Sequence, residues 1–369
     1  MYKLDTYFSQ LGNKREPGTG AVTYPIHLST AYRHSGLHES TGFDYTRTKN
    51  PTRETLEQGF QLIEKGAGCC AASSGMAAIQ LVLSLFQSGD EIIVSEDLYG
   101  GTYRLFSDYE ARFQVRFIYV DPLNIDAFRD AVTERTKAVF VESVTNPLLK
   151  KVDIEGLGQM LTDKDILLIV DNTFLTPYVC QPLTLGADIV IHSATKYLAG
   201  HNDCLSGLVV AKSEELYQAL FQNHNASGAT LSPFDCYLLI RGLKTLPLRL
   251  DRQVTSAKII ANHLRNHPSI HQVYYPETGA MISFEVTDCR AIDPFLRTLE
   301  LISFAESLGG VESFVTYPLT QTHADMPKDV RKQRGITDRL LRLSVGTEHV
   351  DDLIKDLDKA LAKTSHVNK

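Results

Sequence analysis

The chain has 369 residues, with 37 basic and 44 acidic side chains and a net charge of −7. This length is sufficient for about two domains, and the interspersed charges provide no basic surface for nucleic acid or an anionic membrane. Its apolar runs are shorter than a membrane span, and the opening MYKLDTYFSQ lacks the basic start and apolar core of a signal peptide. We therefore expect a cytoplasmic protein with no nucleic-acid or membrane partner.

Residues 1–50 are predicted to form an irregular arm. Gly, Pro, Thr and Tyr are scattered through this segment without the period of a helix or a strand. An extended arm of this kind has to be held by another surface.

Residues 51–232 alternate between apolar strands and helices. A helix is predicted over 52–65, a strand over 68–73, an apolar-faced helix over 75–87 and a helix over 103–113. Further strands are predicted at EIIVS, QVRFIYV, KAVFVES, ILLIVDNT, DIVIHS and LSGLVVA. This order predicts an α/β domain with a mostly parallel sheet covered on both faces, in which ligands bind at the carboxyl ends of the strands.

Residues 233–369 predict a smaller C-terminal α+β domain. The first element is one long helix through LLIRGLKTLPLRLDRQVTSAKIIANHLRNH, with a kink at Pro247. Strands are predicted at QVYYP, AMISFEV and LRLSVG, with a helix near DPFLRTLE and a last helix from Val350 to Lys363.

The six cysteines form no CxxC pair, and we expect free thiols packed mostly as small apolar residues. His263 and His267 stand four residues apart beside Arg265 and Asn266, which indicates a solvated helix face. No metal site is predicted.

Two charged side chains follow buried strands. Lys196 comes after DIVIHS in the run HSATK, and Asp171 closes ILLIVD. Each has an ordinary explanation, a solvated lysine and a turn or cap acid respectively. A third feature, ASSGMAAIQ, places small residues at the start of an apolar helix, where backbone amides can hold a phosphate. Pyridoxal phosphate, bound as a lysine Schiff base with an acid on its ring nitrogen, would use all three features.

This hypothesis assigns the cofactor ligands. Lys196 would bind the aldehyde and also act as the base that moves protons, and Asp171 would bind the ring nitrogen. The phosphate would be held by the amides of Gly75 and Met76 and by the hydroxyls of Ser193 and Thr195.

Seven motifs carry a family resemblance: SATKYLAGHND, DNTF, SSGMAA, DLYGGTYR, YTRTKNPT, SLGGVES and LRLSVGTE. Together they resemble those of the pyridoxal-phosphate enzymes of cysteine and methionine metabolism, from the arm to the last helix. The resemblance implies the aminotransferase-like fold type I, pyridoxal 5'-phosphate as cofactor and small amino acids as substrates. It also implies a homotetramer, a dimer of catalytic dimers whose active sites are shared between two subunits.

The resemblance extends to single residues. It implies that Tyr99 in DLYGG stacks on the cofactor ring, assists proton transfer and contacts the substrate. It also implies that Asn146 in TNP lies near the ring hydroxyl and the substrate. Tyr45 and Arg47 in DYTRTKNPT would reach the phosphate in the neighbouring subunit. Arg342 in LRLSVG would bind the substrate α-carboxylate, with Ser307 nearby.

Within the family, the chain is similar to the cystathionine γ-synthases, including bacterial forms that also act as O-acetylhomoserine thiol-lyases. The similarity includes Asp44, Arg104 and Glu306, which suit a second, zwitterionic substrate such as cysteine. It implies γ-replacement on an O-acyl-L-homoserine by L-cysteine to give L-cystathionine in methionine biosynthesis, with sulfide as a second nucleophile giving homocysteine. Glu306 is shared with the cystathionine γ-lyases, so γ-elimination stays open, as does the choice between acetyl and succinyl.

Two other classes of protein are disfavoured by the sequence. A cofactor-free regulatory homologue would not need Lys196, Asp171 and the phosphate-binding motif together. An NAD-dependent dehydrogenase would carry GxGxxG at a first strand–helix turn, which is missing from the sequence.

Overall fold

The computed structural model describes residues 2–13, 16 and 18–364. In chain order, the helices of this part are α1 (Leu4–Gln10), α2 (Pro51–Glu64), α3 (Gly75–Leu83), α4 (Gly100–Phe113), α5 (Ile125–Asp130), α6 (Ile154–Leu161), α7 (Thr176–Val179), α8 (Glu214–Ser227), α9 (Pro233–Leu243), α10 (Leu246–Arg265), α11 (Ile292–Thr298), α12 (Lys328–Gln333) and α13 (Val350–Thr364). The strands are β1 (Gly68–Ala72), β2 (Glu91–Ser95), β3 (Arg116–Val120), β4 (Thr136–Glu142), β5 (Leu167–Asp171), β6 (Ile189–His192), β7 (Gly207–Ala211), β8 (Ile270–Tyr274), β9 (Met281–Val286), β10 (Ser303–Phe304), β11 (Phe314–Thr316) and β12 (Leu340–Ser344).

The chain forms two compact units. The first unit comprises Met1–Gln87 and Leu157–Pro247, and the second comprises Ser88–Gly156 and Leu248–Lys369. The boundaries at residues 50 and 232 divide the chain by role into an arm, a cofactor domain and a C-terminal domain, and they stay predictions.

In the first unit, the strand order is β1-β7-β6-β5. β5 and β6 are parallel, whereas β7 runs antiparallel to both β6 and β1. The 193–206 connection from β6 to β7 holds no helix, and parallel neighbours need a longer crossover, usually through a helix. The chain therefore turns back, and this connection begins at the edge where β5 and β6 end.

The second unit contains two groups of strands. β4, β2 and β3 are all parallel, and β2 is buried along its whole length. The other group has the order β10-β11-β12-β9-β8 and is antiparallel except for the pair β10 and β11. The predicted change along the chain, from a mostly parallel α/β sheet to an α+β arrangement, is confirmed.

The long helix predicted with a kink at Pro247 is wrong. Two helices replace it: α9 ends at Leu243 and α10 begins at Leu246. Pro247 is therefore in the first turn of α10, where its missing N–H removes no hydrogen bond and its φ suits a helix start.

The arm is less irregular than predicted. Residues 4–10 form α1, which buries Phe8 completely. Beyond it, residues 18–50 contain an isolated bridge between Ala31 and Tyr45 and otherwise irregular backbone. Large apolar side chains are exposed there, with Val22 at 74%, Leu28 at 70% and Leu37 at 87%.

None of the six cysteines forms a disulfide, as predicted, and four of them are buried: Cys69, Cys70, Cys204 and Cys236. On the helix face expected to be solvated, Arg265 and Asn266 are exposed, whereas His263 is half-buried, with its Nε2 2.6 Å from Asp358 Oδ1 of α13. Within residues 2–13, 16 and 18–364, no three His, Cys, Asp or Glu side chains are grouped to hold a metal ion. None of the helices described there is long and apolar enough to cross a bilayer.

Candidate active site

Asp171 is the last residue of β5, and its carboxyl group is held by the residue two positions later. The Thr173 amide and hydroxyl donate to Asp171 Oδ1 over 3.0 Å and 2.5 Å. Burial raises the pKa of Asp171 above its ordinary value, while the Thr173 hydrogen bonds and nearby His192 act in the opposite direction. The ionised carboxylate would therefore be stabilised by a cationic partner.

Ser193 connects the residues after β5, through Thr173, to the start of α3 at Gly75. Its amide donates to Thr173 Oγ1 over 2.8 Å. A Cβ on Gly75 would lie only 2.6 Å from Ser193 Cβ, so glycine is required for this close approach. Ser74 caps α3 through the Ala77 amide at 3.0 Å, and the first-turn amides of Gly75 and Met76 have no acceptor within the helix. These two donors lie at the end of α3 that favours an anion.

Lys196 lies half-buried in the turn 194–199 that follows β6. Its amide donates to Ser193 O over 3.2 Å, and its carbonyl accepts from the Gly200 amide over 2.8 Å. The Thr195 hydroxyl donates to Ser206 O over 3.1 Å and accepts from the Ser206 amide over 2.9 Å. Because this hydroxyl proton has a backbone acceptor, donation by Thr195 to a phosphate stays a prediction.

The arm residues have partners within their own chain. Arg47 lies 5.7 Å from the centre of the Tyr45 ring and donates to Asn225, to Oδ1 over 2.9 Å and also to the backbone carbonyl. Asp44 is exposed, and a hydrogen bond from Ser40 holds its pKa below the ordinary value. Their reach into a neighbouring subunit stays a prediction.

In the second unit, Tyr99 lies among four charged side chains. Its amide donates over 2.8 Å to Glu142 Oε1, at the end of β4. Burial is the largest cause that raises the pKa of Tyr99; Glu306 and Glu142 add to it, while Arg342 and Arg104 oppose it. Tyr99, Glu306, Arg342 and Arg104, all predicted to bind substrate, therefore lie near enough to interact electrostatically.

Arg342 lies in the middle of β12 and is only 2% exposed. Its Nη1 donates to Asn146 Oδ1 over 2.6 Å, and its Nη2 lies 3.4 Å from Thr316 Oγ1 on the adjacent strand β11. The structure thus joins two predicted substrate residues, Arg342 and Asn146, by a direct hydrogen bond. A guanidinium fork in this position suits a carboxylate ligand.

The remaining predicted substrate residues are more exposed. Arg104 on α4 forms an ion pair with Asp325, and both side chains are 66% exposed. Ser307 lies half-buried in the loop after β10, and Glu306 beside it is exposed.

Residues 5–362 match the family described as Cys/Met metabolism PLP-dependent enzymes. The chain belongs to this family.

Its relatives cover nearly the whole chain. A Bacillus subtilis protein, cystathionine gamma-synthase/O-acetylhomoserine (thiol)-lyase, is 54% identical over 98% of this chain and 96% of its own length. A cystathionine gamma-synthase of Haemophilus influenzae is 51% identical, with 98% of both chains covered. The crystal structure of cystathionine gamma synthase from Xanthomonas oryzae pv. oryzae with aminoacrylate and cysteine is 39% identical, has a TM-score of 0.97 and covers 99% of each chain. The predicted fold is confirmed.

Pyridoxal phosphate is the cofactor of this family, and three features of the first unit fit it. The amides of Gly75 and Met76 suit a phosphate. The half-buried Asp171 carboxyl, with its raised pKa, suits a protonated ring nitrogen. Lys196 supplies the amine; it lies three residues after Ser193, which is close to Gly75.

Some residues in contact with these groups were missed by the sequence analysis. Glu142 closes KAVFVE as Asp171 closes ILLIVD, so the same rule about acids after apolar strands would have identified it. Glu64 and His192 were not identifiable in this way: both are fully buried, and Oε1 and Nε2 lie 2.5 Å apart although 128 residues separate them.

Proposed function

We propose that the enzyme replaces the acyloxy group of an O-acyl-L-homoserine with the thiol sulfur of L-cysteine, forming L-cystathionine. The observation that carries this proposal is the charge set around Tyr99, where Glu306 and Arg104 both affect the phenol pKa. The acidic Glu306 suits the ammonium of a second amino acid, and the cationic Arg104 suits its carboxylate. Relatives named cystathionine gamma-synthase support this choice.

Each residue has a defined task in the reaction. Pyridoxal phosphate, when bound, accepts the electron pair released as the Cα proton leaves. Lys196 removes that proton and then moves protons at Cβ. The Asp171 carboxylate keeps the ring nitrogen protonated, and Tyr99 supports the ring and assists proton transfer. Arg342 orients the substrate through its α-carboxylate, with Asn146 holding one arm of the guanidinium.

The overall exchange balances without an oxidant or reductant. The Cγ–O bond of the acyl-homoserine breaks, and the acyl group leaves as a carboxylate. The cysteine thiol gives up its proton, and its sulfur forms the new Cγ–S bond. With sulfide as the nucleophile, the same exchange yields homocysteine.

A product assay tests the reaction. O-acetyl- and O-succinyl-L-homoserine are each incubated with cysteine, with sulfide or with no nucleophile, and cystathionine, homocysteine and 2-oxobutanoate are quantified. We expect cystathionine as the main product when cysteine is present. Dominant 2-oxobutanoate in the same tube would overturn the proposal in favour of γ-elimination.

The second-substrate site has its own test. Arg104→Gln and Glu306→Gln should raise KM for cysteine about 10-fold and leave KM for the acyl-homoserine nearly unchanged. Arg112→Gln is the matched control, because Arg112 lies on the same helix in an exposed ion pair with Asp108. A parallel rise in both KM values would argue against a separate cysteine site.

We further propose that Tyr45 and Arg47 serve the cofactor phosphate of a neighbouring subunit, in a dimer of catalytic dimers. The exposed apolar side chains of the arm, such as Leu28 and Leu37, support its burial against another copy. Arg47→Ala and Lys196→Ala should each be nearly inactive. Refolded together, the mixture should regain about a quarter of wild-type activity, since half of its dimers are mixed and each mixed dimer holds one whole site out of two. Mixed dimers without recovery would rule out sharing.

A further inference from the structure

The His323 ring is fully buried, and all of its polar atoms have partners. Nε2 lies 3.1 Å from Asn146 O and 3.3 Å from Leu98 O, and Nδ1 lies 2.8 Å from Thr322 Oγ1. Carbonyl oxygens can only accept, so Nε2 carries the hydrogen and both carbonyls share it. Nδ1 then accepts from the Thr322 hydroxyl, which defines one tautomer.

This arrangement needs a neutral ring. Burial lowers the pKa of His323 to about 4, and the positive charge of Arg342 acts in the same direction. Near neutral pH the ring therefore keeps one proton, on Nε2, and the same three partners.

One of the two carbonyls belongs to Asn146, a predicted cofactor and substrate residue, and the other belongs to the residue before Tyr99. Leu98 directly precedes Tyr99, and Asn146 carries the amide that accepts from Arg342. A single imidazole thus binds the peptide groups that place Tyr99 and Asn146, 47 positions apart in the sequence numbering. Gly100 adds a second contact, since a Cβ there would overlap the Thr322 carbonyl oxygen.

The 318–335 segment that carries His323 is itself firmly held. Arg331 Nη1 donates to Leu319 O over 2.9 Å and to His323 O over 3.3 Å. The Arg334 guanidinium lies 5.0 Å and 4.9 Å from the ring centres of Tyr103 and Tyr119. The Arg331 bonds hold the segment together, and the Arg334 contacts attach it to α4 and β3, so His323 can fix the backbone around it.

We propose that His323 is a positioning residue: it fixes Tyr99 and Asn146, and through Asn146 the Arg342 fork, without touching the substrate. This inference rests on the roles of these three residues in the proposed function. Small displacements of a carboxylate fork lower both affinity and rate, because catalysis depends on orientation at the ångström scale.

Two substitutions at His323 separate positioning from packing. His323→Leu keeps an apolar volume and removes the donor, whereas His323→Gln offers an amide N–H in place of Nε2–H. In the holoenzyme, we expect His323→Leu to weaken binding of L-alanine, read from the change in cofactor absorbance, by about 10-fold or more. His323→Gln should recover most of this loss, and cofactor content should stay near wild type in both.

Two further variants keep the test decisive if His323→Leu folds poorly. Thr322→Val removes the hydroxyl that donates to Nδ1, and we expect a smaller but measurable loss of L-alanine affinity. Tyr275→Phe is the matched control: it removes a hydrogen bond of 3.1 Å from a buried phenol to the Gly279 carbonyl, and no predicted site residue takes part. It should lower stability and leave L-alanine affinity unchanged.

The L-alanine readout is independent of the reaction catalysed. If the product assay refutes γ-replacement while His323→Leu still weakens L-alanine binding and His323→Gln restores it, the positioning role stands alone. Wild-type L-alanine affinity and kcat/KM in folded His323→Leu or Thr322→Val would overturn it. So would equal losses in His323→Leu and the Tyr275→Phe control.

Discussion

Two parts of the candidate site are assembled differently. One is the turn after β6 in the first unit, and the other is the Arg342 cluster in the second unit, which consists of Arg342, Asn146 and His323. Beside and within the turn, most bonds join neighbours in the sequence: Thr173 holds Asp171 from two residues away, and Lys196 contacts Ser193 three residues away. The bond from the Ser193 amide to Thr173 spans only 20 positions. In the cluster, 196 residues separate Arg342 from Asn146 and 177 separate His323 from Asn146.

The difference indicates how substitutions act. The turn depends on the ends of two adjacent strands, so a change there should remove one chemical group and leave its neighbours in place. The cluster depends on how β12, β4 and the 318–335 segment pack within the second unit. Removing one of its partners should therefore displace the others.

The largest effect is expected in the turn. Lys196→Ala should lower turnover by several orders of magnitude, because both cofactor attachment and proton transfer need this amine. The absorbance of the lysine-bound cofactor should vanish while the protein stays folded, as seen by circular dichroism. A variant with a tenth of wild-type activity would refute the assignment.

The next effect tests the cluster. Arg342→Lys keeps the charge and loses the two-pronged fork, so kcat/KM should fall by about 100-fold. The cofactor spectrum should not change. An unaltered kcat/KM would show that the α-carboxylate binds elsewhere.

A moderate effect is expected from Thr173→Val. The Thr173 hydroxyl stabilises the Asp171 carboxylate, so its removal should raise the pKa of Asp171 further and move the acid limb of the kcat/KM profile to higher pH. Thr162→Val, which removes a hydroxyl bonded to Gly158 O, is the control in the same unit. Identical pH profiles for Thr173→Val and wild type would contradict this role.

The smallest effect concerns stability. The pKa of His323 is about 4 when folded and 6.5 ordinarily, so the unfolded chain binds the proton first as pH falls. The neutral His323 ring therefore contributes to the free energy of unfolding in full above pH 6.5. The contribution decreases towards pH 4, with about 2 kcal/mol lost by pH 5.

Urea unfolding at pH 7.5 and pH 5 checks this expectation. His323→Gln lacks the titrating ring and should lose about 2 kcal/mol less than wild type between the two pH values. The exposed His271→Gln serves as the control. Equal pH dependence in wild type and His323→Gln would show that the ring titrates normally when folded.

Much of the first unit was predictable. Apolar strands that end in a charged residue indicated Asp171 and Lys196, because burying such a group next to a strand is costly without a partner. The bounds of α2, β1 and β6 also agree closely with the hydrophobic pattern.

Other features were not predictable in this way. The division of one predicted helix into α9 and α10 depends on whether Pro247 falls inside a helix or in its first turn. The antiparallel direction of β7 follows from the helix-free connection after β6, which strand periodicity does not reveal.

The sequence by itself determined the strand-end positions of Lys196 and Asp171, the glycine at the start of α3 and the family motifs. These features are recognised from neighbours within a few residues, whose geometry is set by local backbone structure. The contact with Ser193 that requires glycine at position 75 is an exception, since it joins residues 118 positions apart. Only the tertiary structure decided that Asn146 accepts from Arg342, that His323 binds the backbone of Leu98 and Asn146, and that Glu64 meets His192. Such pairs are set by packing between distant elements, and hydrophobic period shows which face is buried without showing what it is buried against.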